Sequence, residues 1–145
     1  MKLEEILELW DADSEILAED IGGESLRTTK LHSKYLKMYV NESAYLEKYT
    51  NDYKILYKKK WCYYRGTMTQ EELLENNWEQ FQIKILKQDV DIYLDGDEEL
   101  NSLRLKKSIQ NEKVKSLDQI IKMINNRNFS IKNHIEWKKF ENGIN

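Results

Sequence analysis

The sequence predicts an all-α protein with one long central helix and shorter flanking helices. The 145 residues include no proline and only five glycines, so little in the chain interrupts a helix. Apolar residues recur at steps of three and four, which is the period of an amphipathic helix. Because 34% of the residues are charged, one copy buries little core for its length. We therefore expect copies to associate, and a ring-like homo-oligomeric helical bundle would suit this pattern.

An acidic N-terminal helix is expected within residues 1–24. Gly22 and Gly23 should end it, because glycine commonly stops a helix. Its apolar positions at helical spacing are Leu3, Ile6, Leu7, Trp10, Leu17 and Ile21.

The long central helix is expected within residues 25–66, where no glycine or proline occurs before Gly66. Gly66 is suited to cap its C-terminus. The second half carries a coiled-coil-like seam with alternating steps of three and four. That seam consists of Leu46, Tyr49, Tyr53, Leu56, Lys60 and Tyr63.

Residues 67–99 should form an acidic helix and connector. Thr69 and Glu72 have the spacing of a capping box, which predicts a helix start. This helix should bury Leu74, Trp78, Phe81 and Ile85 on one side. Residues 88–99, QDVDIYLDGDEE, are rich in aspartate but fail the register of a calcium loop, since Tyr93 and Ser102 fall on ligand positions. We interpret them as a connector, partly extended.

Residues 100–145 are expected to form basic C-terminal helices, with a turn at the run NNRN, residues 125–128. One helix should end near Asn125 and the last should cover about residues 130–142. The apolar residues of these helices are Leu117, Ile120, Ile121, Ile124, Phe129, Ile131, Ile135 and Phe140.

Charge is segregated along the chain although the formal net charge is only -3. Residues 1–24 carry net -8, residues 25–70 net +7, residues 71–99 net -8 and residues 100–145 net +6. Solvated helix faces would explain this pattern. The alternative is that basic blocks face a polyanion while acidic blocks face protein partners or neighbouring subunits.

No catalytic or cofactor-binding constellation can be assembled from the residues. His32 and His134 are far apart in sequence, and the single cysteine, Cys62, is better explained by packing beside Trp61. No glycine-rich phosphate loop is present. The start of the chain does not have the pattern of a signal peptide, and no apolar run reaches the length of a membrane span. We expect no enzyme activity, no cofactor, no metal and no membrane partner.

The stretch YKILYKKKWCYYRG, residues 53–66, gathers five basic and five aromatic residues without an acid. Projected on a helix, cations flank an indole ring on one face, whereas Lys60 falls on the apolar seam. Single-stranded nucleic acid favours this combination, because cations contact phosphates and rings stack on unpaired bases. The candidate nucleic-acid contacts are Lys54, Lys58, Lys59, Lys60, Trp61 and Arg65.

Other interpretations of this stretch remain open. An aromatic stripe such as Tyr45 to Tyr57, with tyrosines four apart, is more often a packing surface than a platform for bases. The lysines would then be a solvated face, or a docking site for the acidic tail of a protein. The alternative function is a coiled-coil structural or adaptor protein without a DNA role. A nuclease would need a metal-binding cluster that the sequence does not offer.

Three stretches together resemble one known family. KLHSKYLKMYVNES, YKKKWCYYRG and the C-terminal NNRNFSIKNHIEWKKFENG resemble the UvsY family, the recombination mediators of T-even-type bacteriophages. The resemblance covers nearly the whole chain, more loosely over residues 71–110, and depends on order and spacing rather than on one motif.

The resemblance implies a non-enzymatic homo-oligomer, a hexamer or heptamer, in the cytoplasm of the infected host. Its partners would be single-stranded DNA, the phage single-strand-binding protein and a RecA-like recombinase of the UvsX type, which it helps to load. The family's DNA-contacting positions match Lys58 and Lys60. The family's C-terminal helix is associated with oligomerisation, so the resemblance implies that the apolar residues of the C-terminal helices, from Leu117 to Phe140, are oligomerisation positions. Lys60 stands where the family can have arginine, and Trp61 and Cys62 also depart from the pattern. Whether Lys60 faces DNA or a subunit seam is therefore left open.

Overall fold

The computed structural model describes residues 1–143, and all regular structure in that range is helical. Two helices of 44 residues each dominate the chain. The all-α prediction and the long central helix are confirmed. Single helical turns of the tighter 3-10 type cover Ala18–Asp20 and Lys87–Asp89. The α-helices are α1 (Leu3–Asp13), α2 (Ile21–Tyr64), α3 (Gln70–Glu75), α4 (Val90–Asp95) and α5 (Glu98–Glu141).

The first helix break lies earlier than predicted. α1 ends at Asp13, and Gly22 and Gly23 lie in the first turn of α2 rather than between helices. The Asp20 carboxylate accepts a hydrogen bond from the Gly23 amide at 3.3 Å, as a capping side chain does. A Cβ at position 23 would collide with that carboxylate. Gly23 is therefore explained by the close approach of the Asp20 carboxylate at the start of α2, and it does not end α1.

The end of α2 and the start of α3 follow the sequence signals. Gly66 has a φ of +71°, and its amide and that of Thr67 donate to the carbonyls of Tyr63 and Cys62. This is the Schellman pattern that glycine permits. The Thr69 hydroxyl accepts from the Glu72 amide at 3.2 Å, while the Glu72 carboxylate accepts from the Thr69 amide at 3.3 Å. Both the glycine cap and the capping box are confirmed.

The predicted helix through Ile85 is wrong, because α3 ends at Glu75. Asn77 adopts a φ of +56°, and the chain then runs without regular structure to Leu86. Leu73, not Leu74, is the buried leucine of α3. The connector predicted at 88–99 is mostly helical and contains α4. Trp78, Phe81 and Ile85 have helical spacing in the sequence, but they lie in an irregular segment.

The predicted turn at residues 125–128 is also wrong, since α5 continues through it. Arg127 is buried and forms an ion pair with Glu24 of α2. Its Nε donates a hydrogen bond to the Thr28 hydroxyl at 3.1 Å. A tertiary contact therefore outweighs the turn preference of three asparagines.

The chain divides into two compact units, residues 1–45 with 110–145 and residues 46–109. In the first unit α1 and the two long helices share one apolar cluster. The pairs Glu42–Gln110 and Glu24–Arg127 show that α2 and α5 run antiparallel there. The buried members of the cluster are Ile6, Leu31, Tyr35, Leu117, Ile120 and Ile124.

The second unit contains the basic, aromatic end of α2. Val90, Leu94 and Leu100 form its buried cluster, with Tyr53 and Leu56 of α2 packed against it. The predicted seam of α2 therefore faces α4 and α5 of the same chain. This packing determines which side chains of residues 53–66 remain in solvent.

Candidate nucleic-acid interface

An exposed face at the C-terminal end of α2 holds Lys54, Lys58 and Trp61 of the helix and Arg65, the residue that follows it. Their spacing of four, three and four places them on one side of the helix. The Arg65 guanidinium lies 5.9 Å from the centre of the Trp61 ring, and this ring is 37% exposed. The predicted arrangement of cations around an accessible indole is therefore present. We call these four residues the α2 basic face.

Lys59 lies beside this face, on the side of α2 that faces α3. Together with Lys58 and Cys62 it lines a cavity of about 390 Å³ whose other wall includes Glu72 and Glu75 of α3. Neither carboxylate comes within 4 Å of a lysine ammonium there, since within residues 1–143 Lys54, Lys58 and Lys59 take part in no ion pair. The three lysines thus remain available to an external anion.

Lys60 has a different environment, and its side chain is buried. The ammonium lies 3.1 Å from the Asp97 carboxylate and 3.4 Å from that of Glu99. It also lies 4.3 Å from the centre of the Trp78 ring, a cation–π contact. A phosphate could reach this ammonium only if the ion pair with Asp97 opened. The sequence left open whether Lys60 faces DNA or a seam between subunits. In the structure Lys60 lies in a seam within one chain, between α2 and the N-terminal end of α5.

Asp97 is the centre of this buried polar cluster. Its carboxylate accepts hydrogen bonds from the Tyr64 hydroxyl at 2.6 Å and from the Leu100 amide at 2.9 Å. Burial opposes ionisation, but these two hydrogen bonds and the charge of Lys60 outweigh it and hold the pKa of Asp97 below its ordinary value. Burial and the same carboxylate raise the pKa of Tyr64. The cluster also caps the N-terminus of α5, because Asp97 is the residue before it.

The Tyr63–Tyr64 pair is packed against other rings rather than presented to solvent. Tyr63 contacts Trp78 and Phe81 with ring centres 5.3 and 5.7 Å apart. Tyr64 contacts Phe81 and Tyr93 at 5.1 and 5.6 Å. These ring contacts hold the irregular segment after α3 against the end of α2.

Sequence reasoning missed a set of cations from α5 that lies over the tyrosines of α2. Arg104 and Lys107 approach the Tyr53 ring at 5.7 and 5.3 Å, and Lys106 approaches the Tyr49 ring at 4.5 Å. The basic run RLKK at residues 104–107 was the available signal. Only the antiparallel pairing of the two helices shows that this run meets the tyrosine stripe.

The predicted oligomerisation residues divide into two groups. Leu117, Ile120, Ile124 and Ile131 are buried within the single chain, and Ile121 packs against the apolar cluster of the first unit. The exposed members are Phe129, Ile135 and Phe140, which are 68%, 40% and 72% exposed.

Residues 1–143 contain no group of three or more histidine, cysteine or carboxylate side chains that could hold a metal ion. Among the helices of this range, none has the length and apolar character needed to cross a membrane.

Comparisons with known proteins identify a family and a fold. Residues 9–144 match the sequence profile of a family described as recombination, repair and ssDNA binding protein UvsY. Two crystal structures of the bacteriophage T4 recombination mediator protein UvsY, in lattice types IV and II, share the fold with a TM-score of 0.85 each. Their sequences are 18% and 19% identical, with 97% of this chain and 99% and 98% of those chains covered. No curated protein sequence matches the chain.

Proposed function

Because the chain belongs to the UvsY family of recombination, repair and single-stranded-DNA-binding proteins, we propose that it helps a RecA-like recombinase nucleate on DNA coated by single-strand-binding protein. The observation that carries the proposal is the α2 basic face. Lys54 and Lys58 are exposed and take part in no ion pair within residues 1–143, and Trp61 lies between them and Arg65.

The physical basis is the combination of phosphate contacts and base stacking. Exposed ammonium and guanidinium groups release counterions from phosphates, whereas stacking of one base on an accessible ring contributes about 1–3 kcal/mol. Two lysines and one arginine bind one strand weakly. A closed homo-oligomer would repeat the face, so that several weak contacts hold one strand together.

The mediator role follows from holding the strand at several points. The single-strand-binding protein would bind less tightly to a strand that is bent along repeated faces. DNA released from that protein would be free for the recombinase, which would lower the free-energy cost of nucleation. The protein itself would act without catalysis, by binding alone. The acidic blocks at residues 1–24 and 71–99 are the proposed contacts for the two protein partners.

The first test is fluorescence anisotropy of a labelled single-stranded oligonucleotide across a salt series. We expect binding that weakens steeply with salt, and a Lys54→Gln/Lys58→Gln variant that loses most of it. The matched control is Lys115→Gln/Lys122→Gln, which removes the same charge from exposed lysines paired to Glu112 and Asp118. Light scattering should show the same assembly in all three proteins.

Equal loss of binding in both double variants would mean that only net charge matters and would contradict a specific face. Absence of wild-type binding at low salt would favour the adaptor alternative, with the lysines docking an acidic protein tail. The finer claim needs a second measurement, namely the lag before a RecA-like recombinase hydrolyses ATP on coated DNA. A mediator shortens that lag, and the Lys54→Gln/Lys58→Gln variant should not.

A further inference from the structure

Arg104 is held in place in the second unit without being neutralised. Its guanidinium donates hydrogen bonds to the Asn101 side-chain oxygen at 2.8 Å and to the Tyr53 hydroxyl at 3.0 Å. Both acceptors are neutral. Within residues 1–143 Arg104 forms no ion pair. The carboxylate of Asp95 is near enough to interact electrostatically, but it is more than 4 Å from the guanidinium nitrogens. An exposed arginine positioned by neutral groups keeps its charge and its remaining N–H donors for an external anion.

The Tyr53 ring connects this arginine to the α2 basic face. Tyr53, Tyr57 and Trp61 follow one another at steps of four along α2, and the Tyr53 and Tyr57 ring centres are 6.0 Å apart. A step of four advances about 400°, so each ring is displaced by about 40° from the previous one. The three rings therefore form a stripe that begins at the α2 basic face and ends beneath α5.

Cations border this stripe on both sides. Lys54, Lys58 and Arg65 lie along one side of it, and Arg104 lies over its Tyr53 end, with Lys107 5.3 Å from the same ring. The stripe is accessible beyond Tyr53, since Tyr57 and Trp61 are 38% and 37% exposed. Flat accessible rings between two rows of positive charge are the arrangement that a single strand needs for stacking and phosphate contact together.

We propose that Arg104, supported by Lys107, forms a second phosphate-binding edge of the single-strand site, with Tyr57 as a stacking position between the two edges. This inference deepens the proposed function and depends on it. The bound strand would cross from α2 to α5 instead of following α2 alone. Arg104 is therefore assigned a direct DNA contact, which sequence reasoning did not predict.

The test compares salt dependence in the full-length protein. Loss of one phosphate contact reduces the slope of log affinity against log salt by about 0.7 for single strands. We expect Arg104→Gln to show this reduction for each subunit that engages the strand, whereas Arg104→Lys, which keeps the charge, retains most of the slope. Lys115→Gln is the control, because it removes one charge from the same helix outside the stripe. Tyr57→Leu should weaken binding with little change in slope, because stacking releases no counterion.

Circular dichroism and unfolding curves should confirm that all variants keep the wild-type fold. Wild-type binding that depends on Lys58, with an Arg104→Gln slope equal to that of the wild type, would overturn this inference and leave the proposed function intact. Absence of wild-type binding would overturn both. An equal slope reduction in Arg104→Gln and Lys115→Gln would also overturn the assignment, since it would reflect net charge only.

Discussion

The Lys60 ammonium lies 3.1 Å from the Asp97 carboxylate, and both side chains are buried. This ion pair joins the C-terminal part of α2 to the start of α5. It explains why the four consecutive residues from Lys58 to Trp61 differ in burial and in role. Lys58, Lys59 and Trp61 are exposed at the surface, whereas Lys60 stabilises the unit that presents them.

Replacement of Lys60 should mainly destabilise the protein. In Lys60→Ala the Asp97 carboxylate stays buried without its cation, and loss of one partner of a buried pair typically costs about 3–5 kcal/mol. Urea unfolding should show a decrease of this order in the free energy of unfolding. Lys58→Ala, at an exposed position, should change it by less than about 0.5 kcal/mol. A stable Lys60→Ala protein with a reduced DNA salt slope would instead identify Lys60 as a phosphate contact.

Acid should destabilise the fold through Asp97. Its folded pKa is lower than the ordinary value of 3.8, so its ionised form contributes stability above that value and loses it as the pH falls through the folded pKa. We expect the free energy of unfolding to decrease from about pH 5 downwards. Asp97→Asn keeps a capping oxygen for the Leu100 amide but cannot titrate. Its stability should be lower at neutral pH and less dependent on pH, and an unchanged acid slope would contradict this assignment.

Arg127 should be required for the stability of the first unit. Its guanidinium pairs with Glu24 and bonds to Thr28 at once, a geometry that the single ammonium of lysine cannot reproduce. We expect Arg127→Lys to lower the free energy of unfolding by about 1–3 kcal/mol, the cost of an unsatisfied buried group. Asn126→Ala, at an exposed position of the same run, is the control. Similar urea midpoints for the two variants would show that the buried pair contributes little.

The exposed aromatic residues near the end of α5 should support association between copies. Trp137 and Phe140 stack with ring centres 5.6 Å apart, and Phe129 is 68% exposed. Large apolar side chains that are exposed together often mark a surface that another protein or another copy covers. We expect Phe129→Ser/Phe140→Ser to reduce the mass measured by light scattering while the circular dichroism spectrum stays helical. Ile124→Ala, in the protomer core, should instead lower the unfolding midpoint. An unchanged mass in the double variant would contradict an interface at these residues.

Local chemistry was enough to predict several elements of this fold. The absence of proline, the αL position at Gly66 and the Thr69–Glu72 box act within a few residues, so the sequence shows them directly. The exposed cations around Trp61 were also predictable, because a helical projection depends only on spacing.

The elements that sequence reasoning missed depend on contacts between distant residues. Arg127 keeps α5 continuous through a run typical of a turn by pairing with Glu24 of α2. The pairing was not predictable from local sequence, because Glu24 is 103 positions away. Helical projection placed Lys60 on the apolar seam, but no spacing rule identified its buried partner Asp97. Arg104 meets Tyr53 across 51 positions, and no spacing rule connects them.

The amino-acid sequence is enough to predict that this chain is helical, that its charge is segregated and that one basic, aromatic stretch is suited to single-stranded DNA. Which of those cations reach solvent depends on the tertiary structure. The physical reason is that burial and pairing are properties of two helices together: antiparallel α2 and α5 in the second unit hold Lys60 against Asp97 and place Arg104 over Tyr53.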